Sequence, residues 1–261
     1  MIQSTEEKQK VAGAELVMVK GGSGKPLLIL HDELGYPGWM TWNETLAHDR
    51  TLLIPLQPGY GKTPKLDWVM DYRDLAGFYS QVLREMKLAP IDVIGFSAGG
   101  FIAAEMVAAD PHIFSKMVLV APMGIKPAKG EIYDIFPITI RTHLRATVAD
   151  PYKTPEFAKL YGGEMTAEQF EAFEDARAEA ARIGWEPYMH NPSLPHLLNG
   201  TKTPTLLVWG SSDHIVPREC IDAYKQAIPD AQIAVINDVG HRPEIENSAE
   251  FERVVTKFLA A

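Results

Sequence analysis

The sequence has little cysteine, no long apolar run and no block of basic residues. Its one cysteine, Cys220, excludes an internal disulfide and favours a reducing compartment. No stretch approaches the roughly 18 apolar residues of a membrane span, and residues 1–8 lack the apolar core of a secretory signal. We therefore expect a cytoplasmic protein that does not enter a membrane.

The sequence also has few positive charges for its length. Asp and Glu number 34 against 25 Lys and Arg, which gives a net charge of −9. Because phosphate binding needs a basic face, this balance argues against a nucleic-acid partner. No spacing of ligating side chains typical of a metal site occurs, so neither a metal nor another cofactor is expected. The expected partner is a small-molecule substrate, and a homo-oligomer stays possible.

Short runs rich in Val, Ile and Leu recur along the chain, separated by segments with helical periodicity. The runs are continuously apolar, which is typical of parallel strands buried on both faces. Apolar stripes within 75–86 and 251–259 indicate amphipathic helices. This alternation predicts an α/β fold with a doubly wound, mostly parallel sheet. The predicted strands are 26–30, 51–56, 91–95, 117–121, 205–209 and 233–236.

Two regions depart from this pattern. Residues 14–20 run into a glycine-rich turn and predict a strand that enters a β-hairpin. Between 123 and 199 no strong strand candidate occurs, whereas aromatic residues and helix-capping patterns are frequent, among them a capping box of Thr166 with Gln169 that opens a helix. We therefore predict a core made of residues 1–122 and 200–261, with a helical insertion at 123–199.

The strongest chemical signal is a G-x-S-x-G motif centred on Ser97. It follows the predicted strand at 91–95 and precedes a small, apolar helix. Nucleophilic catalysis by serine needs such a strained strand-to-helix turn, which exposes the hydroxyl at the carboxyl edge of a sheet. Gly95 and Gly99 remove the Cβ atoms that would clash across the turn. Ser97 is therefore the candidate nucleophile.

With this motif, an early His31 after a core strand and a Pro-Gly-Tyr-Gly loop at 58–61, the chain resembles the α/β-hydrolase superfamily. The resemblance extends over nearly the whole chain, and residues 123–199 correspond to the variable cap of that superfamily. It implies a capped serine hydrolase of the esterase type. It also implies the order nucleophile, acid, histidine along the chain.

The general base is predicted to be His241. It follows the last predicted strand, so it lies at the same sheet edge as Ser97. The remaining histidines fit less well, and His143 in the insertion is expected to have a surface or packing role. Asp213, on the loop after 205–209, is the candidate acid that orients His241. A helix-capping or turn role for Asp213 stays open.

The oxyanion hole needs two backbone N–H donors. Ala98 and Glu33 are the predicted donors, but this sequence has Asp32 where many relatives have glycine. Two carboxylates beside a developing negative charge are costly unless they turn away or pair. We weigh two hypotheses: Glu33 faces the pocket and contacts a polar or basic substrate group, or both carboxylates bond within their own loop or face solvent.

Further side chains are predicted to line the substrate pocket, on the loop after the first core strand, next to the nucleophile and in the insertion. The expected substrate is small or medium-sized and partly apolar. The predicted lining residues are His31, Asp32, Phe96, Trp39, Trp185 and Tyr188.

Three functions are compatible with these residues. The first is hydrolysis of a carboxylic ester through a Ser97 acyl-enzyme. The second uses the same triad to cleave a carbon–carbon bond, as meta-cleavage-product hydrolases of the superfamily do, although these usually have a glycine-rich oxyanion loop. The third is non-catalytic binding of a small molecule, to which this fold has been adapted.

Overall fold

The computed structural model describes residues 2–261, and eight strands within them form one sheet. Numbered along the chain, they are β1 (Ser4–Val11), β2 (Ala14–Gly22), β3 (Lys25–Leu30), β4 (Arg50–Pro55), β5 (Ile91–Phe96), β6 (Phe114–Val120), β7 (Thr205–Gly210) and β8 (Gln232–Ile236). Their order across the sheet is β1-β2-β4-β3-β5-β6-β7-β8. The strands β3 to β8 are parallel, which confirms the predicted α/β fold.

Helices cover both faces of the sheet. Alternate residues of the buried strands pack on α2, α3 and α8 on one face and on α1 and α10 on the other, because successive strand side chains point to opposite faces. The helices are α1 (Thr41–Ala47), α2 (Tyr72–Glu85), α3 (Ala98–Ala109), α4 (Ile140–Ala146), α5 (Pro155–Tyr161), α6 (Ala167–Gly184), α7 (Leu194–Leu197), α8 (Glu219–Ala227), α9 (Pro243–Glu246) and α10 (Ser248–Ala260).

The hairpin at the start of the chain differs from the predicted one. β2 forms a hairpin with β1, through Ala12 and Gly13, and not with β3. Its other neighbour is β4, which lies between β2 and β3. β1 was not predicted because it is an edge strand, so most of its side chains are polar and exposed. The glycine-rich turn at 22–24 therefore connects β2 to β3, and β4 lies between these two strands in the sheet.

The segment between β6 and β7 forms the helices α4 to α7. All of residues 121–204 are described, and they contain no strand, only a single bridge between Gly124 and His190. The capping pair predicted for α6 is present, since Thr166 and Gln169 bond each other's backbone N–H groups. Whether these helices act as a separate cap stays a prediction.

The loops after β3, β5, β7 and β8 lie at one edge of the sheet, because these strands are parallel. This edge therefore carries the segment 31–35, Ser97, Asp213 and His241. Among residues 2–261, no helix combines the length and apolar composition that crossing a bilayer requires.

Candidate active site

Ser97 lies at a sharp turn between β5 and α3. Its φ of 48° is positive, which is unusual for a residue with a side chain and is the strained geometry of a nucleophile elbow. The neighbouring glycines have no room for a side chain. A Cβ on Gly95 would lie 2.5 Å from the Gly99 carbonyl oxygen, and one on Gly99 would lie 2.2 Å from the Leu30 carbonyl oxygen. The turn and the end of β3 are therefore packed backbone against backbone.

Asp213 and His241 form a hydrogen-bonded pair. His241 Nδ1 lies 2.8 Å from Asp213 Oδ2, and Asp213 Oδ1 accepts hydrogen bonds from the backbone N–H groups of Ile215 and Val216. The loop thus fixes one carboxylate oxygen and leaves the other for the histidine. Because Nδ1 donates to Asp213, Nε2 of the neutral ring is free to accept a proton.

Several charges act on the pKa of His241. Burial alone lowers it, but the charge and hydrogen bond of Asp213, together with the charges of Glu33 and Asp32, raise it to about 9. The imidazolium form is therefore favoured in this state. A base must be neutral to accept the proton of Ser97, so these carboxylates govern the pH at which His241 can act.

The link between Ser97 and His241 is incomplete. Among residues 2–261, neither Ser97 Oγ nor His241 Nε2 has a hydrogen-bond partner, although both residues are buried, 2% and 4% exposed. The structure thus brings the three predicted residues to one sheet edge and joins Asp213 to His241. It does not form the hydrogen bond from Ser97 to His241, a contact that often tightens only around substrate.

The predicted oxyanion donors follow two adjacent strands, β3 and β5, at this edge. Ala98 begins α3, where the first backbone N–H groups have no partner within the helix. Glu33 lies in the loop after β3, and its side chain is 1% exposed. Burial alone raises the pKa of this carboxyl, but His143, His241 and the N–H of Glu33 itself lower it overall. Glu33 is therefore a buried carboxylate at the predicted hole.

The partner of Glu33 is His143 of α4. Nε2 of His143 lies 3.3 Å from Glu33 Oε1, and the histidine is fully buried. The two atoms are close enough for an ion pair but are not aligned as a hydrogen bond. Of the two roles expected for His143, the surface role is wrong, because the side chain is buried and faces the Glu33 carboxylate. No spacing in the sequence indicates this contact, since His143 follows Glu33 by 110 residues.

Asp32 bonds within its own loop and also faces Arg242. Its Oδ1 accepts from the N–H of Leu34, and its Oδ2 lies 3.8 Å from Arg242 Nε. Burial raises the pKa of Asp32, and this effect outweighs the opposing charge of Arg242. Asp32 therefore fits the hypothesis that these carboxylates bond within their own loop. Glu33 does not, because its side chain faces His143 of α4.

Arg242, directly after His241, is a site residue that sequence reasoning missed. Its buried guanidinium donates to Glu244 Oε1 at 2.9 Å and to the Tyr161 hydroxyl at 2.7 Å. Tyr161 belongs to α5, so Arg242 joins the histidine loop to the helices between β6 and β7. The sequence places Arg242 next to the predicted base, but it does not indicate the contact with Tyr161, which is 81 residues away.

His31 holds the loop after β3 in place. Its Nε2 accepts the N–H of Gln57 at 3.0 Å, its Nδ1 lies 2.8 Å from the Asp32 carbonyl oxygen, and its ring packs on Tyr60. Burial lowers the pKa of His31 to about 4, so the ring is neutral. Both ring nitrogens are engaged, so the structure assigns His31 contacts within the protein rather than with a substrate.

The contacts of the four other predicted pocket residues fall in three separate places. Phe96 packs on Trp42 and Phe251, under the loop. The ring of Trp39 covers Gly21 of β2, which pairs with Leu52 of β4. Trp185 and Tyr188 pack on Phe136, and Trp185 is 62% exposed. The structure does not bring these four side chains together into one pocket.

A cavity of about 230 Å³ lies between the loop after β3 and the helices α5 and α6. Leu34 and Gly35 form one wall, directly after Glu33, and the other walls are mostly apolar. The cavity does not include Ser97 or His241. Its lining includes Leu56, Tyr60, Leu160, Tyr161, Met165 and Phe173.

Comparison with known proteins agrees with this architecture. Residues 27–254 match the model of a family described as the alpha/beta hydrolase family. A curated relative, 2-hydroxy-6-oxo-2,4-heptadienoate hydrolase of Pseudomonas putida, is 23% identical and aligns over 95% of this chain and 94% of its own. Lipase 1 of Psychrobacter immobilis is 28% identical over 90% of this chain and 77% of its own.

A solved structure shows the same fold. The crystal structure of a membrane phospholipase A, described as a bacterial virulence factor, superposes with a TM-score of 0.84. It covers 98% of this chain and 86% of its own, at 20% sequence identity. At that identity the similarity concerns the fold, and the chemistry has to be argued from the site.

Proposed function

The chain belongs to the α/β-hydrolase family, and we propose that it is a serine hydrolase that cleaves a small or medium-sized, partly apolar carboxylic ester through a Ser97 acyl-enzyme. One observation carries the proposal: the Asp213–His241 pair, with Nε2 free, lies at the same sheet edge as the strained Ser97. The apolar cavity beside Glu33 supports a partly apolar substrate.

The residues have the following roles in this mechanism. Ser97 Oγ attacks the ester carbonyl carbon while its proton passes to His241 Nε2, and Asp213 stabilises the resulting imidazolium. The N–H groups of Ala98 and Glu33 bind the oxyanion. The carbon–oxygen bond breaks, and the alcohol leaves with the proton from His241. A water molecule activated by His241 then hydrolyses the acyl-enzyme and restores Ser97.

We further propose that α4 to α7 act as a cap over the site. Two contacts support this role, since His143 of α4 faces Glu33 and Tyr161 of α5 binds Arg242. Because Ser97 and His241 are buried, a substrate reaches them only when neighbouring groups move.

Hydrolysis of a carbon–carbon bond by the same triad is the second candidate. The relative from Pseudomonas putida, named a hydrolase of a heptadienoate, favours it. The surroundings of the site disfavour a carboxylate-bearing substrate of that kind, because Asp32, Glu33 and Glu244 are buried there beside a single arginine, Arg242. We therefore rank the ester first.

The test is a burst assay with short-chain p-nitrophenyl esters, combined with labelling by a serine-directed phosphonate. Wild type is expected to turn over the esters and to carry an acyl or phosphonyl adduct on Ser97. Ser97→Ala loses both, whereas Ser193→Ala, an exposed serine at the start of α7, retains them. If wild type gives neither turnover nor labelling, the proposal is wrong and non-catalytic binding becomes the leading function.

A further inference from the structure

The Glu33 carboxylate has one oxygen without a partner. Oε1 faces His143 at 3.3 Å, whereas Oε2 accepts no hydrogen bond from any group within residues 2–261, although it is buried. A buried carboxylate oxygen normally accepts one or more hydrogen bonds, since burial without them is costly. This oxygen is therefore available to a ligand.

A second buried glutamate shows the contrast. Glu179 of α6 is bound by Arg182 at both oxygens, at 2.8 and 2.6 Å. A guanidinium matches a carboxylate in this two-point way and neutralises it. At Glu33 the only side chain paired with the carboxylate is His143, which contacts Oε1 without hydrogen-bond alignment. Oε2 of Glu33 therefore lacks the donor that each oxygen of Glu179 has.

Buried charges of both signs lie around Glu33, and the positive charge of His241 stabilises its carboxylate. Asp32 and Glu244 are buried nearby, and Arg242 is already engaged by Glu244 and Tyr161. Further unpartnered polar atoms belong to the same region: Ser97 Oγ, His241 Nε2 and the Tyr72 hydroxyl are all buried without hydrogen bonds in the described chain. The charge of Glu33 acts on both His241 and Tyr72. The Glu33 carboxylate thus lies within electrostatic range of His241, the predicted base.

We propose that Glu33 is a specificity-determining residue, whose Oε2 accepts a hydrogen bond from a protonated amine carried by the substrate near its scissile carbonyl. This inference rests on the proposed ester hydrolysis and names the substrate class: amino esters with a positive charge a few bonds from the carbonyl. His143 is compatible with this role because it contacts the other carboxylate oxygen, Oε1, and leaves Oε2 free.

The test compares isosteric esters that differ only in charge. On the alcohol side, dimethylaminoethyl acetate is compared with isoamyl acetate. On the acyl side, the ethyl ester of N,N-dimethyl-β-alanine is compared with that of isocaproic acid. In each pair a protonated nitrogen replaces a CH group. We expect wild type to show a higher kcat/KM for the cationic member of at least one pair.

The matched variants are Glu33→Gln and Glu179→Gln. Glu33→Gln is expected to reduce the cationic preference by about 10-fold to 100-fold, the range for losing a hydrogen bond between charged groups. Glu179→Gln makes the same change at a carboxylate whose oxygens are already bound, so the preference persists. The ratio within a pair is the readout. A general effect of Glu33 on His241 changes both esters equally and leaves this ratio unchanged.

Two results overturn the inference: wild type shows no cationic preference in either pair, or Glu33→Gln retains the preference. Binding of the product alcohols, dimethylaminoethanol and isoamyl alcohol, is measured in parallel by calorimetry and needs no turnover. If no ester is consumed and Ser97 is not labelled, the proposed function fails, and the binding comparison alone decides the role of Glu33. Equal affinity for the two alcohols then counts against it.

Discussion

Nη1 of Arg242 donates a hydrogen bond to the Tyr161 hydroxyl at 2.7 Å, which ties the residue after His241 to helix α5. Two backbone links strengthen this connection. The N–H of Arg242 donates to the Thr147 carbonyl oxygen, and Glu246 accepts from the N–H groups of Gly240 and Ala149. The loop that positions His241 is therefore built partly on the segment between α4 and α5. Substitutions in α4 and α5 should therefore alter the position of His241.

The first prediction concerns this hydrogen bond. Tyr161→Phe leaves a buried guanidinium N–H without its acceptor, so the free energy of unfolding should fall by about 1–3 kcal/mol. Urea denaturation measures the loss. Tyr152→Phe is the control, because Tyr152 is 91% exposed, and it should leave the unfolding midpoint unchanged. Equal stability of the two variants would show that the Arg242–Tyr161 contact contributes nothing.

The second prediction concerns the acid. Asp213→Asn retains an oxygen for the N–H groups of Ile215 and Val216 but no longer favours the correct tautomer of His241. We expect kcat to fall by about 10⁴-fold, as the corresponding change does in serine proteases, with an unchanged circular dichroism spectrum. Asp238→Asn, at an exposed residue beside the same loop, should keep full activity. A smaller loss in Asp213→Asn than in Asp238→Asn contradicts the assignment.

The third prediction is a pH dependence. The negative charge of Glu33 contributes to the raised pKa of His241, and His241 must be neutral to act as base. Wild-type kcat/KM toward a neutral ester should therefore rise with pH through the titration of His241. Glu33→Gln removes a charge that stabilises the imidazolium, so the rising limb should move to lower pH. A limb that stays in place, or moves to higher pH, argues against this electrostatic coupling.

The fourth prediction concerns the packing of the nucleophile turn. Gly99→Ala places a Cβ 2.2 Å from the Leu30 carbonyl oxygen, which forces the turn and the loop after β3 apart. We expect a loss of about 1–3 kcal/mol in stability and of about 100-fold in kcat/KM, since small misplacements of reacting groups are costly. Gly163→Ala, where a Cβ meets no atom within 4 Å, serves as control. Thermal unfolding and kinetics of both variants provide the measurement.

Local patterns predicted much of the fold. Each of the six predicted core strands coincides with an observed strand to within three residues, because a continuous apolar run can be buried only between two helical layers. Thr166 with Gln169 marks the start of α6, since a capping box is formed by neighbours in sequence. The edge strand β1 escaped prediction because its exposed side chains leave no apolar signal.

The sequence likewise predicted some features of the candidate site and not others. Ser97, Asp213 and His241 could be placed at one sheet edge from the sequence, because each follows a recognisable strand and parallel strands end together. The pairing of Glu33 with His143 and that of Arg242 with Tyr161 could not. These partners lie on elements whose relative position depends on how α4 and α5 pack. Local sequence determined which residues follow the strands, and only tertiary packing decided which charges meet, because electrostatic partners are chosen by distance in space.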